Sequence, residues 1–198
     1  PIVPRSSGPA DWDAVEIGDT GSGLLEFLVE NLYINGTATM VIDLDRCVRC
    51  DDCVTACSLA HNNNPRFVRH GKRHSNFMVA NACMHCSDPV CMIGCPTGAI
   101  HRSSAEGQVV INDAACIGCA TCANSCPYDN IRMVDIRDNS GSLILDEQTN
   151  VPIVKATKCD LCVDQMEGPA CQRACPHDAL RRVEMRDLGS ITAWLGGQ

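Results

Sequence analysis

The sequence predicts an α+β fold assembled from four related units, each built as strand, cysteine-bearing loop, short helix and strand. Three observations carry this. All sixteen cysteines of the 198-residue chain fall into four groups of four. The groups alternate between a compact and an expanded form, so the chain repeats itself internally. Short strand-like runs flank them: TATMVIDLD before Cys47, QVVINDA before Cys116, and GAIHR, NIRMVDI and ALRRVEM after cysteine groups.

The groups read Cys47-x2-Cys50-x2-Cys53-x3-Cys57, Cys83-x2-Cys86-x4-Cys91-x3-Cys95, Cys116-x2-Cys119-x2-Cys122-x3-Cys126 and Cys159-x2-Cys162-x8-Cys171-x3-Cys175. The first and third align at an offset of 69 residues; the second and fourth align at 76 for their first two cysteines and 80 for their last two. Pro96, Pro127 and Pro176 follow the last cysteine of three groups, and Ser58 stands there in the first. Proline suits that exit because it fixes φ and removes an N–H.

This spacing is that of iron–sulfur ligation. A cubane needs one thiolate on each iron. Two-residue gaps wrap three sulfurs around one cluster, and the cysteine three residues on faces away toward another cluster. Four such groups imply four 4Fe–4S clusters with no cysteine left over. The four halves then make two bacterial-ferredoxin-like dicluster modules, in tandem and with insertions. A zinc-bound scaffold is the competing reading, but zinc gains nothing from a third cysteine at the same short spacing. A disulfide framework would close only tiny loops here.

Composition agrees. Aromatic residues make up 4% of the chain, too few for an ordinary core of this size. Clusters would organise the interior instead, and loss of iron would unfold much of the protein. The formal charge of −8 makes nucleic acid an unsuitable partner. No run reaches transmembrane length, and neither a signal peptide nor a twin-arginine motif is visible. The first residue is Pro1, which reads as a processed or truncated piece of something longer.

Residues 1–21 read as an extended arm rich in Pro, Gly and Ser. Leu24, Leu25, Leu28 and Leu32 then recur at helical spacing, with Ser22 as cap and Gly36 as stop. Such a helix either packs on its own domain or docks a partner, and periodicity does not separate the two. The basic run Arg66, Arg69, His70, Lys72, Arg73, His74 within 58–82 reads as a solvated loop, with a docking loop as alternative. Residues 127–158 read as a hairpin: IRMVDI, the turn DNSG, LILD and PIVKAT.

His85 and His177 lie beside cysteines, but sixteen thiolates already fill sixteen iron positions, so outer or surface roles suit them better. Arg46, Arg49 and Lys158 also flank cysteines. A cation beside a cluster favours its reduced state, unless it points into water and is screened. No nucleophile–base pair, phosphate-cradling glycine loop or dinucleotide fingerprint is present. The chain is expected to be no enzyme in itself.

From Val41 to about Met185, the motifs MVIDLDRCVRC, CMHCSDPVCMIGCPTGAI, CIGCATCANSCPYDNIRMV and KCDLCVDQMEGPACQRACPHDAL resemble the four-cluster electron-transfer subunits of complex iron–sulfur molybdoenzymes, with related modules in hydrogenases. Spacing alone leaves open which groups pair. The resemblance implies first with fourth and second with third. One cluster then takes Cys47, Cys50, Cys53 and Cys175, and its mate Cys159, Cys162, Cys171 and Cys57. The inner pair takes Cys83, Cys86, Cys91 and Cys126, then Cys116, Cys119, Cys122 and Cys95. The third group is complete, whereas some relatives carry tryptophan there and a 3Fe–4S cluster.

The implied organisation is an N-terminal arm and helix (1–37), an outer module (38–82 and 127–185), an inner module (83–126) interleaved within it, and a tail (186–198). The implied function is relay of single electrons between a catalytic subunit of molybdoenzyme or hydrogenase type and an acceptor. That acceptor is a quinone or cytochrome, reached in many relatives through a membrane anchor. The alternative is a C-terminal ferredoxin module of a longer flavin- or nucleotide-dependent oxidoreductase. The expected location is cytoplasmic, with membrane association through partners, or periplasmic by co-export.

Overall fold

The computed structural model describes residues 22–104 and 107–185, together with 187, 189 and 194. The arm expected over 1–21 lies outside them, as does most of the 186–198 tail. In chain order the elements are α1 (Ser22–Glu30), a 3-10 turn (Tyr33–Asn35), β1 (Ala38–Asp43), α2 (Asp52–Ala60), β2 (Gly71–His74), β3 (Phe77–Ala80), α3 (Val90–Ile93), β4 (Ile100–Arg102), β5 (Val109–Ile111), α4 (Thr121–Ser125), β6 (Arg132–Asp135), β7 (Val154–Thr157), α5 (Ala170–Arg173) and β8 (Leu180–Glu184). The fold mixes helix and sheet, as the sequence predicts.

Every residue of β1 is buried, so the strand needs a layer on each face. Ala38, Met40 and Ile42 face a core shared with Cys53, Cys57, Cys159 and Cys171, which brings α2 and α5 onto that side. Val41 faces a second core, shared with Phe27 and Leu28 of α1. The sheet is antiparallel in the order β2-β3-β1-β8.

Of the two readings of the first helix, packing on its own domain is the one observed. Phe27 sits 4.9 Å from the ring of His74, 5.7 Å from Tyr33 and 6.0 Å from Phe77. Ser22 falls inside the helix, which ends at Glu30. Leu32 turns left-handed at φ 58° and is exposed, so it does not extend the apolar stripe.

The basic segment is not a solvated loop. Gly71–His74 and Phe77–Ala80 form a hairpin that completes the sheet, and Phe67 before it is fully buried. The charge run misleads because β2 is an edge strand, where outward Lys72 and Arg73 are at home. Its buried positions are a histidine and a glycine, which carry no apolar alternation. Gly71 is required there: a Cβ would sit 1.9 Å from the Val79 carbonyl oxygen.

The 127–158 hairpin is present, with β6 and β7 paired from Arg132↔Thr157 to Asp135↔Val154. Asp138 Oδ1 accepts the amides of Ser140 and Ser142 and closes the DNSG turn. The LILD run makes only isolated bridges, Arg137↔Leu143 and Leu145↔Pro152, and is no regular strand. Pro152 has no amide to offer a ladder. Ile131, Met133 and Ala156 pack with Ile100, Val109 and Cys122 in a third core.

The internal repeat extends to individual hydrogen bonds. Asp43 Oδ1 at the end of β1 accepts the amides of Asp45 and Arg46, and its carbonyl accepts the Cys47 amide. Asn112 at the end of β5 does the same for Ala114, Ala115 and Cys116. The Asp43 amide donates to Ala179, four residues past Cys175; the Asn112 amide donates to Ala99, four past Cys95. The strand entering each compact group therefore pairs with the strand leaving an expanded one: β1 with β8, β5 with β4.

Candidate metal centre

Each cysteine loop is wound by residues in the left-handed region. In all four groups the residue before the second cysteine has positive φ: Arg49 (61°), His85 (46°), Gly118 (72°) and Leu161 (58°). In the compact groups the residue after that cysteine repeats this, as Asp51 (65°) and Ala120 (62°). Left-handed residues in such loops turn successive amides inward and make a concavity for an anion. Three of the four positions before the second cysteine lack glycine, so nothing in the sequence flagged them.

The exits are equally regular. Gly98, Asp129 and Asp178, each three residues past a group's last cysteine, have φ of 64°, 53° and 47°. Each donates its amide to that cysteine's carbonyl at 3.4 Å. These are the three groups followed by proline. In the first group Ser58 replaces it, and α2 runs through Cys57 to Ala60.

The structure gathers twelve of the thiols in three cavities, each taking three cysteines from one group and the fourth from another, and leaves four more thiols buried near one another. Cys47, Cys50, Cys53 and Cys175 line one cavity with Val48, Arg69 and His177. Cys83, Cys86, Cys91 and Cys126 line another of about 450 Å³, roofed by Ile34, Asn35 and Tyr128. Cys95, Cys116, Cys119 and Cys122 line a third with Thr97, Ile111 and Ile117. Cys57, Cys159, Cys162 and Cys171 are all buried, and Cys57 lies within electrostatic reach of the other three.

Amides are aimed at these sulfurs. Cys57 Sγ accepts from Arg66 and Phe67, both at 3.3 Å, and Cys162 Sγ from Ala170 at 3.5 Å. Cys175 Sγ accepts from Ala179 at 3.3 Å. Burial pushes the Cys53 thiol up to about 11 and Cys91 up to about 12, and drives Cys159 well up. At the exposed end, the Ile100 amide holds Cys95 down at about 7. None of the sixteen thiols is in a disulfide. Buried thiols with inward amides fit an iron–sulfur core, whose irons would draw off the protons and whose sulfurs would accept the N–H groups.

Several contributors were not legible in the sequence. His61 Nε2 lies 3.6 Å from both Cys162 Sγ and Asp160 Oδ1. Asp160 also accepts the Cys162 amide at 3.0 Å and the Arg66 guanidinium at 2.5 Å. Arg102 clamps the second loop, donating to the carbonyls of Cys86 and Ser87 at 2.7 Å. Thr37 Oγ1 donates to His85 O at 2.6 Å, seating the 3-10 turn over that loop.

The flanking residues chosen from the sequence take varied positions. Arg46 pairs with the buried Asp43 at 3.2 Å. Arg49 is exposed. Lys158 is 2% exposed. His177 sits on the rim of the first cavity. His85 is fully buried, its Nδ1 accepting the Val109 amide at 3.1 Å.

Residues 74–143 match the 4Fe-4S dicluster domain, and residues 44–60 match a 4Fe-4S binding domain. Over 146 residues the chain is 33% identical to the electron transport protein HydN of Escherichia coli K12, covering 67% of this chain and 79% of that one. The chain belongs to the family of 4Fe–4S electron-transfer subunits of oxidoreductase complexes. It carries iron–sulfur clusters and relays electrons. It is also 30% identical over 146 residues to a subunit of the tetrathionate reductase of Salmonella typhimurium LT2, covering 67% of this chain and 52% of that one. A 34% match over 136 residues to the putative oxidoreductase AegA of Escherichia coli K12 covers 64% of this chain and 19% of AegA. No helix among the described residues is long and apolar enough to cross a membrane.

Proposed function

We propose that this chain relays single electrons through four 4Fe–4S clusters between a catalytic oxidoreductase subunit and an acceptor, without a catalytic site of its own. The observation that carries this is the gathering of twelve thiols in three cavities, which leaves Cys57, Cys159, Cys162 and Cys171 as the buried remainder. In this reading Cys47, Cys50, Cys53 and Cys175 hold one cluster, and Cys57, Cys159, Cys162 and Cys171 its mate. Cys83, Cys86, Cys91 and Cys126 hold a third, and Cys95, Cys116, Cys119 and Cys122 a fourth.

The modules are tandem and interleaved: an outer one around the first and fourth groups and an inner one around the second and third. The β1–β8 and β4–β5 pairings support this division. Cys83 shares a core with Cys159 and Cys171, which favours those two clusters as neighbours across the junction. Cys50 and Cys119 are the exposed thiols. Each lies two residues from an exposed aliphatic, Val48 at 60% and Ile117 at 65%. Electrons would enter and leave at these ends, where an apolar side chain suits a docked partner.

The reductase named among the relatives favours a reductase catalytic subunit as partner. The hydrogenase type, and a quinone or cytochrome acceptor reached through a membrane anchor, rest on the sequence resemblance. So does a cytoplasmic location with attachment through partners, or co-export with one. The match to a small part of AegA favours a second reading, in which the module serves a longer multidomain oxidoreductase.

The test is anaerobic purification with iron, acid-labile sulfide and zinc analysis, followed by EPR-monitored reduction. About sixteen irons per chain, with coupled signals from four clusters, support the reading. Zinc without sulfide would reject it, and about eight irons would reject the count of four.

A further inference from the structure

Lys158 is the one candidate cation beside the cysteines that lies inside the protein. It is 2% exposed and makes no ion pair among the described residues. Its ammonium donates to two carbonyls that belong to different quartets. One is Cys159 O, at 3.0 Å, in the loop of the fourth group. The other is Val109 O, and Val109 lines the cavity of Cys83, Cys86, Cys91 and Cys126.

An ammonium buried with only neutral carbonyls for company is strongly unfavourable. A nearby anion of full charge removes the difficulty. The bodies on either side of Lys158 that would carry such charge are the two clusters facing each other across the module junction. Thiolate-ligated 4Fe–4S clusters are anionic, and each becomes more so on reduction. The Lys158 charge reaches Cys91, where it opposes the upward push of burial on that thiol. His85, bound to the amide of the same Val109, brings no competing negative charge.

We propose that Lys158 is a shared counter-charge that raises the potentials of the two clusters on either side of it, that of Cys83, Cys86, Cys91 and Cys126 and that of Cys57, Cys159, Cys162 and Cys171, and allows both to be reduced together. It is a positioning and tuning residue for electron transfer across the junction. Each of these two clusters gains one electron and passes it on, with no bond made and no proton moved. This rests on the ligand quartets proposed above.

The experiment is an EPR-monitored potentiometric titration of the purified holoprotein against Lys158→Met, Lys158→Gln and Lys158→Arg, with iron counted in each. Sixteen irons in the unmodified protein, about four per cluster, test the quartets; the potentials test Lys158. Lys158→Gln keeps two N–H donors and removes the charge, on a side chain one bond shorter that also carries an acceptor oxygen. Lys158→Met and Lys158→Gln should lower two of the four potentials, leave two unchanged and weaken the signal of the doubly reduced pair that flanks Lys158. Lys158→Arg should keep all four near their original values. Four unchanged potentials in Lys158→Gln, or an equal shift in all four, would overturn the proposal. If neutral variants lose iron while Lys158→Arg retains it, the charge serves assembly rather than potential and the proposal falls. If Lys158→Arg also loses iron, side-chain shape is what matters and the proposal falls.

Discussion

Arg66 donates through Nη1 to Asp160 Oδ2 at 2.5 Å, joining the segment after the first cysteine group to the loop of the fourth. Its backbone amide donates to Cys57 Sγ, and Nη2 reaches Asp113 three residues before Cys116. One residue thus touches loops leading to three of the four groups. Asp160 is buried, whereas the Asp113 side chain is more than half exposed.

Removing Arg66 and removing only its exposed partner Asp113 should therefore have unequal effects. Arg66→Met leaves the Asp160 carboxylate with only His61 and the Cys162 amide, and should cost about 2–4 kcal/mol. Asp113→Asn should stay within about 0.5 kcal/mol, as exposed pairs do. Urea unfolding of the holoprotein followed by cluster absorbance checks both. Equal effects would mean that Asp160 does not depend on Arg66.

A proline placed where the other three groups have one should do harm. Ser58 lies in the last turns of α2, where the helix uses its amide. Ser58→Pro removes that donor and drives the ring against the carbonyl of Val54, costing about 3 kcal/mol. Iron content and thermal stability are the measurements. A neutral result would show that α2 can end at Cys57.

Gly118 and Ala120 share a left-handed loop but differ in what surrounds them. A Cβ on Gly118 would meet the Val154 carbonyl oxygen at 2.3 Å. Gly118→Ala should then cost at least about 2 kcal/mol and loosen β7 from the third group. Ala120→Gly relieves a left-handed alanine and should be neutral to about 1 kcal/mol stabilising. Thermal melts of the two holoproteins should move in opposite directions or differ clearly in size.

The α1 helix should be integral to stability. Phe27→Ala removes a buried ring from a four-ring cluster and should cost about 3–5 kcal/mol, while Val29→Ala at an exposed site should stay within about 0.5 kcal/mol. Chemical denaturation reads both. A mild effect of Phe27→Ala would return the helix to the status of a docking element.

His74 in that cluster gives a pH signature. Burial holds it below the ordinary histidine value of 6.5. The unfolded chain therefore binds its proton more readily than the folded one. Its contribution is present above 6.5 and falls away as the pH drops below it. His74→Asn should flatten this part of the stability profile between about pH 7.5 and 5.5, read by denaturant midpoint. An unchanged slope would place the dependence elsewhere.

Much of this was legible from residues alone. The runs TATMVIDLD, GAIHR, QVVINDA, NIRMVDI and ALRRVEM all contain strands, because short apolar stretches beside turn-forming cysteine loops have few other choices. The β2–β3 hairpin was not legible, since charge on an edge strand looks like a loop. Nor were the left-handed positions at Arg49 and Leu161, where the residue type shows no preference for that conformation. His61, Asp160 and Arg66 came into view only because distant segments converge on Cys162.

By itself the sequence determined the cofactor chemistry, because gaps of two and three residues set which sulfurs one loop can present, and this is local geometry. It determined the repeat for the same reason. Which cysteines share a cavity was decided by tertiary structure: Cys57 and Cys175 lie far apart in the chain, and their places depend on α2 packing against α5 and β1 pairing with β8. The interior position of Lys158 was decided there too. A lysine before a cysteine can point to water or inward, and only the packing of distant segments around it removes the water.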